Sequence, residues 1–391
     1  MQKPGEKGGE FQRKRILSLS FVHFIHDLFT SFLSPLLPLL IKKLDLSLTQ
    51  AGSLWMLLRI PTFFNPFFGA LSDRYKLSRI LLVITPGSSA LFMCLIGLAP
   101  TYGVLAALAL AAGFSMAGMH LSAPVIISQS SGKSIGRGMS FFMVAGELAR
   151  TLGPLAAVGA VSLLTLEGLW KLAPVGILTS FVLWRRLGKE IGGDSQSASP
   201  KALISVVFEL RRVIFALSGM LIMRGFTAVA IETFLPTFIY QQGESLWFGS
   251  ISLSVFEFCG ACGALTTGTL SDRVGRRKAL LAAAIASPPL MFFFLFSSGI
   301  LRLVALVPLG FFTLSLSPVL MAVMLENAGE NKGAANGVYT AMSFAFRAVI
   351  VIALGAISDA IGLRNAFMLS AALAFLGIPF VLLIPDDKKE N

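Results

Sequence analysis

Charge is scarce in this chain. Asp, Glu, Lys and Arg make up 13% of its 391 residues, against roughly 25% in soluble domains. Hydrophobic residues make up 55%, and the mean hydropathy is +0.79. A soluble core cannot absorb that much apolar surface, so the chain belongs in a bilayer. Cysteine is nearly absent. Cys94, Cys259 and Cys262 all fall in apolar runs, and an odd number in lipid-embedded segments excludes a disulfide framework. Cys259-Gly-Ala-Cys262 spells C-x-x-C. Small residues that let helices approach closely explain it better than redox or metal chemistry. No nucleotide loop, Ser/His/Asp constellation or metal-spaced motif stands outside the apolar runs. An enzyme is therefore not expected, nor a cofactor or a metal.

What is present is a series of twelve apolar runs, six in each half. The first, about 16–40, is too long for a signal-peptide core and lacks a small-residue cleavage site, so it reads as an uncleaved helix. Helices follow at about 51–71, 80–98, 103–129, 138–164 and 168–186. After a polar linker, others follow at about 212–240, 247–270, 279–298, 300–326, 336–358 and 364–384. The expected fold is all-α and membrane-integral, with twelve transmembrane helices in two pseudo-symmetric six-helix bundles. Its parts are a tail at 1–14, a bundle at 15–186, a linker at 187–211, a second bundle at 212–385 and a tail at 386–391. The halves are a duplication. Gly69-Ala-Leu-Ser-Asp73-Arg74 returns 199 positions later as Gly268-Thr-Leu-Ser-Asp272-Arg273, and Gly138-Met-Ser keeps the same offset to Gly337-Val-Tyr. A repeat that long is two-domain symmetry rather than a solenoid.

The net charge of +12 would suit nucleic acid, but the positions of the basic residues argue for membrane orientation instead. Of 32 Lys and Arg, 23 lie on the side of the termini and linker. Five lie opposite: Lys42, Lys43, Lys171, Arg302 and Arg364. That asymmetry puts both termini in the cytoplasm, and no nucleic-acid partner is expected.

Four basic residues remain within helices: Arg59, Arg150, Arg224 and Arg347. Four acids join them, Asp27, Glu147, Glu232 and Glu257, as do all three histidines, His23, His26 and His120. Intramembrane charge costs at least a few kcal/mol per group, so such residues are functional by default. Helices 3, 6, 9 and 12 carry none, which predicts that they face lipid while the others line a polar interior. His23, His26 and Asp27 stand at i, i+3 and i+4 and share one face, continued by Thr30 and Ser34. Glu147 and Arg150 can pair within one helix. The proton-coupling candidates are Asp27, His23, His26, Glu147, Glu232 and Glu257. The candidates for an anionic substrate are Arg150 and Arg347, with Arg59, Arg224 and His120. Other readings stand beside these. Glu147–Arg150 would serve as a structural ion pair, Arg59 or Arg347 would snorkel to an interface, and His120 would be a packing residue. A divalent metal on the His23/His26/Asp27 face is disfavoured by the nearby arginines.

Twelve helices, two halves and the twin G-x-L-x-D-R loop resemble the major facilitator superfamily over residues 15–385. The second loop, Gly268–Lys278, matches the family pattern in full. The first departs after Arg74, with Lys76 and Leu77 where Gly and Arg are expected. The resemblance implies a gating role for Asp73, Arg74, Asp272 and Arg273, the aspartate capping a neighbouring helix N-terminus. Four stretches look like the fosmidomycin-resistance branch: His23-Phe-Ile-His26-Asp27, Ser34-Pro-Leu-Leu-Pro38, Leu48-Thr-Gln-Ala-Gly52 and Gly138–Gly146. Gly146-Glu-Leu-Ala-Arg-Thr-Leu-Gly153-Pro154 resembles helix 5 of proton antiporters, with Ala156 and Ala157 where paired glycine is expected. These likenesses imply a monomer in a bacterial inner membrane that expels small anionic or amphipathic compounds in exchange for protons. An importer of an organic anion with protons is the alternative. A non-transporting sensor is disfavoured by the short tail from Pro385 to Asn391.

Overall fold

The computed structural model describes residues 11–75, 77–187, 200–329 and 331–384, and every regular element among them is helical. Most of the expected tails and linker lie outside these residues. The first half holds α1 (Arg13–Thr30), α2 (Leu33–Leu44), α3 (Leu48–Phe63), α4 (Asn65–Tyr75), α5 (Ser78–Leu95), α6 (Tyr102–Ser130), α7 (Ile135–Leu164) and α8 (Ala173–Arg186). A helix within the linker, α9 (Pro200–Glu209), precedes the second half. That half holds α10 (Arg211–Gln241), α11 (Leu246–Val274), α12 (Arg276–Phe296), α13 (Ile300–Leu314), α14 (Leu316–Glu326), α15 (Lys332–Ile361), α16 (Leu363–Phe375) and α17 (Gly377–Leu382). With α1–α2, α3–α4, α13–α14 and α16–α17 each read as one broken span, the chain forms twelve.

Among the described residues, ten spans are long and apolar enough to cross a membrane. Span 2 is broken at Phe64, just past the internal Pro61. Span 6 is short because a 3-10 stretch, Glu167–Leu172, comes before the 14 residues of α8. Hydropathy placed span 2 at about 51–71, whereas helix runs from Leu48 to Tyr75 apart from that break. The difference has a local cause. Ser47 and Gln50 form a reciprocal capping box that starts α3 before its apolar stretch.

Lipid offers little hydrophobic drive for helix association, so close packing at small residues supplies it. The Cys259–Cys262 segment shows this. A Cβ added at Gly263 would lie 2.5 Å from the Phe311 carbonyl oxygen, so α11 and α13 meet backbone to backbone there. All three cysteines are free. Burial does not set the spans without intramembrane charge apart as a group: 56% of the most apolar stretch of span 3 is buried, against 22% in span 11, which carries Arg347. Span 6 buries only Ala173, Gly176 and Leu183 of α8, while Leu178, Phe181 and Trp184 are exposed apolar surface. By contrast α10 buries most of its length.

Candidate functional site

Two seams close one end of the space between the halves. In the first, α3 meets α15. Gly52 lies against the Val351 carbonyl, and Gly355 lies against the Leu48 carbonyl; a Cβ on either would sit 2.6 Å from that oxygen. The first turn of a helix has backbone N–H groups with no partner in the helix. Asp359 of the second half satisfies two of them on α3, accepting from Leu48 N at 2.7 Å and Thr49 N at 2.9 Å. It also accepts from Thr49 Oγ1 at 2.6 Å. In the second seam α7 meets α11, where Trp247 Nε1 donates to Ser162 Oγ at 3.1 Å. Away from this end the halves part. Residues 340–348 of α15 are all half-exposed, whereas Ile350, Val351, Leu354 and Gly355 are buried in the seam.

Below the seams, the first half presents Asp27. His26 Nδ1 lies 2.8 Å from Asp27 Oδ1, and His23 Nε2 lies 3.2 Å from Oδ2. His120, reaching in from α6, places Nε2 3.9 Å from Oδ1 and is itself a third exposed. The His23 ring is fixed from behind. It stacks on Phe142 at 3.8 Å between centroids, and Nδ1 sits 2.9 Å from the Phe142 carbonyl. A Cβ at Gly146 would come within 2.5 Å of Cε1, so only glycine leaves room for this pose. The carbonyl can only accept, so Nδ1 carries a hydrogen. Nε2 then faces a carboxylate oxygen. Two lone pairs at that distance repel, so the contact is attractive only when a proton sits on one partner.

The arginines line the rest of the space. Arg150 pairs with Glu147 on its own helix, and its Nε lies 3.9 Å from Glu257 Oε2 on the other half. Arg347 pairs with Glu232. Arg224 is held by neutral acceptors, Nε donating to Thr313 O and Nη2 to Ser317 Oγ, both at 2.8 Å. Arg59 and Arg347 lie over the ring of Trp55, at 4.5 and 5.8 Å from its centroid. The Trp55 Nε1–H is tied to Ser34 Oγ at 3.0 Å. A cavity of about 230 Å³ opens beside Arg224 and Arg347, lined also by Ser317, Tyr339, Thr340 and Ser343. Arg150 and Arg347, the expected anion contacts, therefore each already hold a carboxylate.

A family model described as the Major Facilitator Superfamily matches residues 19–342 and 248–391. The chain belongs to that family. It is a multi-pass membrane transporter, not an enzyme, and members bind small-molecule substrates and typically work as monomers in a bilayer. The fosmidomycin resistance protein of Escherichia coli is 22% identical over 394 residues, covering 96% of this chain and 93% of that protein. A probable 4-methylmuconolactone transporter of Cupriavidus pinatubonensis is 28% identical, covering 98% and 92%. Among solved structures, a bacterial homologue of the human lysosomal transporter Spinster, inward-facing and occupied, superposes with a TM-score of 0.79. It is 14% identical, and the match covers 97% of each chain.

In this facilitator the twin loops lie at the far end from the seams. The Asp73 side chain lies outside the described residues. Arg74 packs over Tyr75 at 5.5 Å. Asp272 pairs with Arg276, which also reaches Glu326 at 2.8 Å and Ser271 Oγ at 2.5 Å, joining α11, α12 and α14. Arg273 is exposed. The carboxylate seen capping a helix across the halves is Asp359, which the sequence reading passed over, as it did Trp55 and Trp247. Trp55 stands four residues before Arg59, so the i, i+4 spacing was a usable signal for that stack. Asp359 left no local signal, since its partners are 310 and 311 positions away.

Proposed function

We propose that this transporter moves small organic anions in exchange for protons, expelling fosmidomycin-like compounds by alternating access. The observation that carries the proposal is the placement of one carboxylate among three histidines, in a membrane interior that also holds four arginines from both halves. Asp27 and His23 hold the exchangeable proton, and Glu147, Glu232 and Glu257 set the charge around it. Arginines from both halves take the anion. His120 is a third exposed and within 3.9 Å of Asp27, so it lies where one occupant would be felt by the other. We read the distribution of Lys and Arg as putting the termini in the cytoplasm, and the likeness to the fosmidomycin resistance protein as pointing to a bacterial inner membrane. The seams then face outward and the cavity opens inward, the state from which an exporter loads.

The balance of charge favours a second reading. Four arginines face four carboxylates inside the membrane, so each added proton makes the space more positive and draws an anion in. Joint loading of proton and anion is import by symport.

Purified protein in liposomes, with a trapped pH dye and an imposed proton gradient, separates the two. A small phosphonate that moves protons opposite to itself supports the exchanger, and movement in the same direction supports the importer. Asp27→Asn should abolish proton movement in either case. Proton flux that survives this change would remove Asp27 from the coupling role.

A further inference from the structure

The four intramembrane arginines are not equivalent, and the difference identifies a seat. Arg150 and Arg347 each pair with a glutamate. Arg224 has its donors on a carbonyl and a hydroxyl. Among the described residues no carboxylate lies within ion-pair distance of Arg59, and its Nε is shut from solvent with no acceptor. Its neighbour is a ring, Trp55, whose centroid is 4.5 Å from the guanidinium carbon. An aromatic face attracts a cation but does not neutralise it or satisfy its hydrogens. A cation kept at mid-membrane without an acid is costly unless something else supplies the negative charge.

We infer that Arg59 is the seat of the substrate's acid group, phosphonate or carboxylate, and that Trp55 is the residue that positions it. This rests on the reading of the transporter as a carrier of organic anions. A guanidinium offers a planar fork that matches two oxygens of either group. The indole is anchored by its N–H to Ser34 of span 1, so the ring holds the fork at a fixed tilt. The same ring carries Arg347 from the other half at 5.8 Å. Arg59 also lies directly beneath the first seam. Gly52, seven residues earlier on α3, touches Val351, and Val351 is four residues beyond Arg347 on α15. An anion on Arg59 therefore sits where the two halves meet, rather than on the wall of either one.

The test uses the purified full chain, a small alkyl phosphonate, a small carboxylate and a neutral ester of the phosphonate, read by calorimetry and thermal melting. Arg59→Gln should weaken binding of both acids by tenfold or more and leave the melting temperature equal or higher, because it removes a cation without an acid. Arg150→Gln and Arg347→Gln should lower the melting temperature, because they strand Glu147 and Glu232. Trp55→Leu should weaken binding about threefold to thirtyfold, the worth of one ring–cation contact. Trp55→Phe should restore part of that loss, because it keeps a ring face under the guanidinium but loses the bond to Ser34. If the acids bind wild type and Arg59→Gln alike, the seat is elsewhere while the anion reading survives. If neither acid binds wild type, the anion reading falls and the seat with it. A melting temperature for Arg59→Gln as depressed as that of Arg347→Gln would overturn the premise that Arg59 lacks a partner.

Discussion

The two seams occupy equivalent places in the duplicated architecture, yet they are fastened differently. Moving Leu48 by the 199-residue offset gives Trp247, and moving Asp359 back by it gives Ala160. Where α3 meets α15, a carboxylate ties two backbone amides and a hydroxyl across the halves, over glycines in backbone contact. Where α7 meets α11, one neutral indole–hydroxyl bond does the work, with Arg150 and Glu257 3.9 Å apart further in. Duplication has preserved which helices face each other, while the residues that fasten them have diverged. The first seam should hold as a lock and the second as a hinge that yields more readily.

The strongest way to break this comparison is to add one methyl group. Gly355→Ala would push a carbon to within 2.6 Å of the Leu48 carbonyl and 2.8 Å of the Thr49 Cα. Neither atom can swing aside, so the seam should part at about 1–3 kcal/mol. A cysteine at buried Ala51, in a background with the native cysteines replaced, should then react with an impermeant maleimide many times faster. Asp359→Ala comes next. Loss of a helix N-terminal acceptor costs about 0.5–2 kcal/mol, which raises the labelling rate up to about thirtyfold. Trp247→Phe removes one neutral bond, worth about 0.5–1.5 kcal/mol, and should raise it less. Equal acceleration by Trp247→Phe and Asp359→Ala would erase the distinction between lock and hinge.

The smallest effect is expected at a bond that joins no seam. Lys43 donates to Glu167 at 3.0 Å within the first half, and this hydrogen bond holds the Glu167 carboxyl below its ordinary range. A lowered carboxylate pKa stabilises the fold above the unfolded pKa and loses that effect as pH falls through the folded one. The pair is exposed, so Glu167→Gln should cost well under about 1 kcal/mol at pH 7. Melting temperatures of variant and wild type should converge as pH falls through the lowered folded-state pKa. Ala51 labelling should not change.

Much of the interior was legible because helical spacing is local. His23, His26 and Asp27 at i, i+3 and i+4 were placed on one face, and the structure brings all three together. Glu147 and Arg150, three residues apart, were legible as a pair for the same reason. The Glu232–Arg347 pair spans 115 positions and follows no period. It depends on how α10 and α15 are rotated against one another, which is a property of packing. The same holds for His120 beside Asp27 and for the ring shared by Arg59 and Arg347. Hydropathy found the spans but misjudged the start of α3, because a capping box at Ser47 obeys hydrogen bonding rather than apolarity.

Closure at Gly52 and Gly355 is made by main-chain atoms, which carry no titratable group and no counter-ion shell. Those two contacts are therefore indifferent to acidity and salt, whereas the Asp359 carboxylate beside them can titrate. A seam built this way has a fixed main-chain part that conditions do not alter, leaving Asp359 as the part of the lock that responds to its surroundings.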